Sequence, residues 1–440
     1  MRSRIRSCTA VLFGALIAVA GGMVSAPHAW TQPPAQAAAD EDFYVPPAPL
    51  PPAPPGAIMR AQPASLMFSA PGQPGVVPAI STRMMYLSND THDAPTAVTG
   101  TYLQPMLPWT GPGDRPLVAY AVGTQGQGDQ CAPSKLLPQL VRYQPPFDVI
   151  AEYDVLALYS LLSRGMAVVV TDYHGLGTPE MHDFLNRRAQ SYAVLDSARA
   201  AEQLPNNGLG PRPPVIVYGY SQGGMASAGA AELQPSYAPE LNMRGAYIGG
   251  PVVDPEYFIG FNEGQPSLSG AVGFTLNGIA ADYPETRPEL DAELNDAGKA
   301  LLSDAANKCA IAVSIDNPQR QTAQFTSSGQ PLTTVIDRSP ALSQAFADQR
   351  IGGGTPAAPV LIASAKNDEG APYAPIRDVA AAWCSRGVPV QIDANSQLPP
   401  ISGVVGTHDL AFFPSLAASQ MWLTDRLAAA PAASNCAALP

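Results

Sequence analysis

The chain has 440 residues, 46% of them apolar and 14% charged, with 24 basic and 36 acidic side chains and a net charge of −12. That is enough apolar material for one large domain with an insertion or for two modest ones, and it excludes a disordered or fibrous chain. The acidic excess repels a phosphate backbone, which excludes nucleic acid as a partner, and it disfavours docking on anionic lipid, so any lipid interface would have to be an apolar patch.

Residues 1–39 have the layout of an export signal. Arg2, Arg4 and Arg6 precede an apolar run from Cys8 to Val24, small residues follow, and cleavage is expected after Ala37 or Ala39. An uncleaved anchor is disfavoured because Gly14, Gly21 and Gly22 interrupt the run. Removing these residues takes away three arginines and no acid, leaving 21 basic against 36 acidic residues and a charge of −15. Cys131, Cys309, Cys384 and Cys436 remain. Four cysteines outside the cytosol predict two disulfides, in any of three connectivities. None has zinc-ligand spacing, so no metal is expected.

Residues 40–78 form a proline-rich arm, with Pro46-Pro47, Pro51-Pro52 and Pro54-Pro55 and little that could pair as strands. Polyproline II is the expected conformation, either wrapped on the domain, as a spacer, or as a plain linker. Strands and helices then alternate. Leu117–Val122 reads as a strand buried on both faces, ending in the turn Gly123-Thr124-Gln125-Gly126; Ile150–Arg164 reads as an amphipathic helix stopped by Gly165. Met166–Thr171 is a strand, Tyr192–Leu204 a helix, and Val215–Tyr218 and Tyr247–Val252 are further strands. This order predicts a mostly parallel sheet covered by helices.

The rhythm stops between Asp254 and Gly354. Helical segments such as Arg287–Ala306 occur there without a buried strand. About 100 residues is far longer than a usual connection and predicts an inserted helical cap over 255–354. The sheet resumes with the strand Ala358–Ser364, the helix Tyr373–Arg386 and the strand Val388–Ile392, and Met421–Ala430 closes the chain as a helix. The expected architecture is an α/β-hydrolase core (79–254 and 355–440) with a helical lid.

The chemistry centres on Gly219-Tyr220-Ser221-Gln222-Gly223. A serine hydroxyl needs a base and an exposed position, and a Gly-x-Ser-x-Gly turn between strand and helix supplies the second. The bare pattern is weak. The strand before it and the small-residue helix start Gly224-Met225-Ala226 after it give it weight. In this fold the triad runs Ser, acid, His along the chain, and His408 is the only histidine after Ser221. The acid that orients the imidazole is expected on a loop after a late strand. Asp368 fits best, Glu369 competes, and Asp393 and Asp337 fit less well. The oxyanion of the attacked carbonyl needs backbone donors, expected from the N–H of Gln222 and of Gln125, with Thr124 close behind. A phosphate cradle is the other reading of the 123–126 turn, but no Gly-Lys-Ser/Thr follows it.

Together these residues resemble a known family, the secretory lipases of the fungal lipase A type, which also occur in actinobacteria. The resemblance is carried by Asp42-Phe43-Tyr44, Pro55-Gly56, the run from Gly123 to Cys131-Ala132-Pro133-Ser134, and Val169–Tyr173 with Gly175-Leu176-Gly177. It continues in Leu195-Asp196 with Arg199-Ala200, Tyr218–Gly224, Asp368 with Pro372-Tyr373, Trp383-Cys384 and Gly406-Thr407-His408. It implies a triacylglycerol lipase or carboxylesterase with Ser221, Asp368 and His408 as triad, a helical lid, and the disulfide pairs Cys131 with Cys309 and Cys384 with Cys436. Fungal members carry an acidic residue near the position of Thr124-Gln125, a departure at the second oxyanion donor. The expected reaction is ester hydrolysis through an acyl-serine, without metal or cofactor and without an obligate protein partner, on an ester or lipid substrate. Acyl transfer with the same triad, or a non-catalytic cell-wall protein on this fold, are the alternatives.

Overall fold

The computed structural model describes residues 42–67, 79–263, 269–317, 321–395, 398–401 and 406–439. Residues 1–39, the expected export signal, lie outside them, as do residues 40–41 and 68–78 of the proline-rich arm. The compact unit that carries the sheet begins at Tyr44, and Asp42 and Phe43 fall outside it.

Among the described residues, nine strands form one sheet. In chain order its strands are β1 (Ile58–Ala64), β2 (Ala79–Asn89), β3 (Pro95–Pro105), β4 (Leu117–Ala121), β7 (Ala167–His174), β8 (Val215–Tyr220), β9 (Met243–Gly249), β10 (Val360–Ala365) and β11 (Val390–Asn395), while β5 (Val141–Gln144) and β6 (Asp148–Ala151) make a separate hairpin. The spatial order is β1-β2-β3-β7-β4-β8-β9-β10-β11. From β7 to β11 all neighbours are parallel, and β1 to β3 extend the sheet antiparallel. The parallel strands β4, β8 and β10 are buried along their whole length, as strands covered on both faces must be.

Helices α1 (Pro133–Leu136), α2 (Val155–Ser163), α3 (Arg187–Gln203) and α4 (Gln222–Tyr237) belong to the first half of the core. Seven more, α5 (Pro255–Phe261), α6 (Ser269–Asp282), α7 (Arg287–Glu293), α8 (Asp296–Asn307), α9 (Ala310–Asp316), α10 (Leu332–Arg338) and α11 (Pro340–Asp348), fill the interval between β9 and β10, where the described residues contain no strand of either sheet. The second half adds α12 (Tyr373–Ser385) and α13 (Thr407–Leu427). No helix among the described residues is long and apolar enough to cross a membrane.

Four expectations need correction. The proline-rich arm does contain a strand: β1 pairs antiparallel with β2 and carries Pro63, which an edge strand tolerates because one side needs no ladder donor. The helix expected over Ile150–Arg164 is a strand, β6, followed by the turn Glu152-Tyr153-Asp154, with α2 beginning only at Val155; the hairpin partner β5 claims those residues. The closing helix starts at Thr407 rather than Met421 and runs through Pro414. A proline inside a helix loses one backbone hydrogen bond, and burial of Phe412, Ser415, Ser419, Trp422 and Leu423 offsets it. The helix expected over Arg287–Ala306 is two helices, α7 and α8, with Asn295 capping the second by accepting from the Gly298 N–H at 3.0 Å.

A row of tyrosines ties the sheet to the site. Tyr120, Tyr218 and Tyr247 sit in register on β4, β8 and β9, with ring centroids 5.3 and 4.2 Å apart. Tyr218 Oη reaches Ser419 of α13 at 2.8 Å, and Tyr120 Oη donates to Asp154 at 2.7 Å. The middle of the sheet is thus keyed to the helix that carries His408 and to the turn beside the 123–126 loop.

Candidate active site

Ser221 stands where β8 becomes α4, with φ 61° and ψ −120°. A side chain in that region of backbone space is strained and persists only where its surroundings dictate it. They do so here: the Ser221 N–H donates to Gly249 O at 2.9 Å. A Cβ on Gly219 would collide with the Gly223 carbonyl, and one on Gly223 with the Ala121 carbonyl. The two glycines let helix and strand meet closely enough to force the serine out of the strand line.

His408, the second residue of α13, faces Ser221 with Nε2 2.8 Å from Oγ. Its Nδ1 lies 2.9 and 3.0 Å from the two Asp368 carboxylate oxygens. Gly370 leaves room for the imidazole, since a Cβ there would crowd His408 Cγ. Asp368, on the loop after β10, is buried, and its Oδ1 accepts from the N–H groups of Gly370 and Ala371 at 2.8 and 2.6 Å. Burial opposes the imidazolium, but the Asp368 carboxylate outweighs it, with smaller help from Asp409 and Glu369, and raises the His408 pKa to about 9. Glu369, the competing acid, turns elsewhere: its carboxylate accepts from the Thr407 N–H at 3.0 Å and the His408 N–H at 3.3 Å, so it holds the start of α13 rather than the ring. Asp337 lies on α10 and Asp393 on β11, and neither hydrogen-bonds His408.

Gln222 opens α4, where the first N–H groups of a helix lack intrahelical partners. In the 123–126 turn the Gly123 N–H donates to Asp154 Oδ2 at 3.0 Å, whereas neither the Thr124 nor the Gln125 N–H meets a partner among the described residues. The Gln125 side chain is buried and points Nε2 at Glu152 and Asp154, 3.4 Å from each. Sequence reasoning missed these two acids. Burial raises Asp154 to about 6, while burial and the Asp154 charge raise Glu152 well above the usual carboxylate range. Asp154, with three donors, is the natural anion of the pair, and Glu152, whose Oε2 has no partner, the natural proton carrier. Two acids flanking one tyrosine in an apolar stretch, with no base three or four residues away, are the available signal.

The same turn is stitched to the helical insertion. Ala310 N donates to Gln125 O at 2.9 Å, Gln127 N to Lys308 O at 3.3 Å, and Gly126 pairs with Cys309 as an antiparallel bridge. Cys131 and Cys309 are disulfide-bonded, as are Cys384 and Cys436. The cluster of Cys131, Asp148 and Cys309 has metal-like spacing, but its sulfurs are joined to each other, and Asp148 accepts from the Cys309 N–H and from Gln130.

Strand order, the serine turn and the following acid and histidine define an α/β-hydrolase. Comparison with known proteins narrows the class: the secretory lipase family model matches residues 144–435, and the chain belongs to that family. It is 29% identical over 399 residues to a protein of Mycobacterium tuberculosis named probable inactive lipase, covering 89% of this chain and 83% of that one. To Lipase A of Arthroderma benhamiae it is 28% identical, covering 88% and 79%. Candida antarctica lipase A in its closed state shares the fold, with a TM-score of 0.72 at 22% identity over 89% of this chain and 87% of that one.

Proposed function

We propose that the chain is an exported serine hydrolase of carboxylic esters, acylglycerols among them, working through an acyl-Ser221 intermediate. The observation that carries it is the continuous contact from Asp368 through His408 to a strained, positive-φ Ser221. His408 Nε2 takes the Oγ proton as Ser221 attacks the acyl carbon, and Asp368 stabilises the imidazolium. The N–H of Gln222 and that of Gln125 receive the oxyanion. Collapse expels the alcohol, which takes its proton from His408. Water, deprotonated by His408, then attacks the acyl carbon and frees the acid. The α5–α11 insertion acts as the lid. Export is supported by the two disulfides, which persist in oxidising compartments, and by the family.

The test is a chain-length series of chromogenic esters. Ser221→Ala is expected to lower kcat by about 10⁵–10⁶-fold, and undiminished turnover would refute the scheme. Rates that climb once the ester exceeds its solubility assign acylglycerol surfaces as the substrate; a preference for short dissolved esters removes that part of the reading. The relative named inactive makes this measurement the first to perform.

A further inference from the structure

His182 takes no part in the triad, yet it sits against the residue after the nucleophile. It lies in the loop between β7 and α3, and its ring is wholly buried. Nδ1 is 2.9 Å from the His174 carbonyl, which can only accept, so Nδ1 carries the proton. The Asp183 carboxylate, 3.4 Å from the same nitrogen, keeps it there. Nε2 is left with a lone pair, and the Gln222 side-chain amide donates to it at 2.9 Å. The ring stacks on Tyr173, with centroids 5.8 Å apart, and meets the edge of Phe184.

The end of β7, which leads into this loop, and the loop itself also hold the 123–126 turn. Tyr173, at φ 66°, donates its hydroxyl to Val122 O at 2.7 Å, immediately before the 123–126 turn. Gln127, immediately after that turn, donates to the His182 carbonyl at 3.0 Å. Both approaches to the acyl oxygen therefore hang on one segment, running from Tyr173 at the end of β7 to His182 in the loop.

We infer that His182 is a positioning residue for the oxyanion site: its Nε2 lone pair fixes the Gln222 side chain and, through it, the Gln222 N–H beside Ser221. The physical need is clear. Gln222 is the first residue of α4, and an oxyanion donor that is misplaced loses much of its effect. A buried amide without its acceptor would also turn to find another. The inference rests on the ester-hydrolase reading above.

Two variants test it from opposite ends of one hydrogen bond. His182→Phe keeps a stacking ring and removes the lone pair; Gln222→Met keeps chain length and backbone N–H and removes the amide. Each is expected to lower kcat by about 10- to 100-fold with KM changed less than about twofold, and to slow phosphonate inactivation of Ser221 by the same factor. The double variant should be no worse than either single one. Full kcat in Gln222→Met overturns the inference, and does so even if His182→Phe fails to fold. Losses that simply multiply in the double variant overturn it as well, because the histidine would then act through loop packing. Turnover that survives Ser221→Ala would instead sink the underlying reading, so the two failures are told apart.

Discussion

Two regions of the active site are built on different principles. The serine side is local: a buried strand, a turn whose two glycines touch backbone, and a helix follow one another within residues 215–237. The oxyanion side is assembled from distant pieces. Residues 125–131 meet residues 307–310, residues 173–184 reach both Val122 and Gln222, and Glu152 and Asp154 fill the space beneath. On the proposed function, the nucleophile is presented by local geometry, whereas the oxyanion donors depend on tertiary contacts.

The acid side offers the largest test of that contrast. Asp368→Asn is expected to lower kcat by about 10⁴-fold, since the wrong tautomer of His408 then faces Ser221. Glu369→Gln, which touches only the backbone of the helix start, should lower it by about tenfold or less. Comparable losses in the two, measured on one ester, would reverse the assignment.

The disulfides come next. Loop-closure entropy gives each bond about 4–5 kcal/mol, with sequence separations of 178 for Cys131–Cys309 and 52 for Cys384–Cys436. Replacing either pair by serine should lower the denaturation midpoint by similar amounts. Only loss of Cys131–Cys309 should also reduce kcat at temperatures where both variants are folded. Equal kcat in the two would mean that the stitch to the insertion does not shape the oxyanion turn.

A smaller effect separates the buried ion cluster behind His182. Burial opposes a charge on His174, but Asp183 and Glu180 outweigh it and raise its pKa well above 6.5. A raised folded pKa means stability that is fully present below about 6.5 and is lost as the pH climbs through the folded value. His174→Gln should therefore cost about 3 kcal/mol at pH 6, where Asp183 loses the charged one of its two histidine neighbours, and progressively less at alkaline pH. Urea midpoints of the two proteins at pH 6 and pH 10 measure it; a gap that widens with pH contradicts the pairing. The mildest expectation concerns His408 itself. Because it must be neutral to accept the serine proton, the acid limb of kcat/KM should lie alkaline of 6.5, towards about 9, and removal of the Asp368 charge should shift whatever limb remains to lower pH.

The same contrast decides what can be read from sequence. The parallel strands show as continuous apolar runs, and Ser221, Asp368 and His408 emerge from a turn motif, a strand end and the chain order of the fold. Strands β2 and β3, antiparallel and half polar, escape notice although β2 carries the short run Met84–Leu87, and β1 is masked by Pro63 and the prolines before it. Glu152 and Asp154 fall inside an expected helix because their burial follows from the β5–β6 hairpin, which local pattern does not specify. His182 precedes Ser221, which disqualifies it as the base, and nothing in one-dimensional order speaks of a hydrogen bond to Gln222.

The bridge between Gly126 and Cys309 finally says something about how the site is entered. Together with the Cys131–Cys309 disulfide it fixes residues 307–310 of the insertion to residues 126–131. If the insertion is a lid and the 123–126 turn supplies an oxyanion donor, as proposed, lifting the insertion as one piece would pull that turn away with it. On that proposal access would come from helices on either side of residues 307–310, pivoting about them and leaving the 123–126 turn in place.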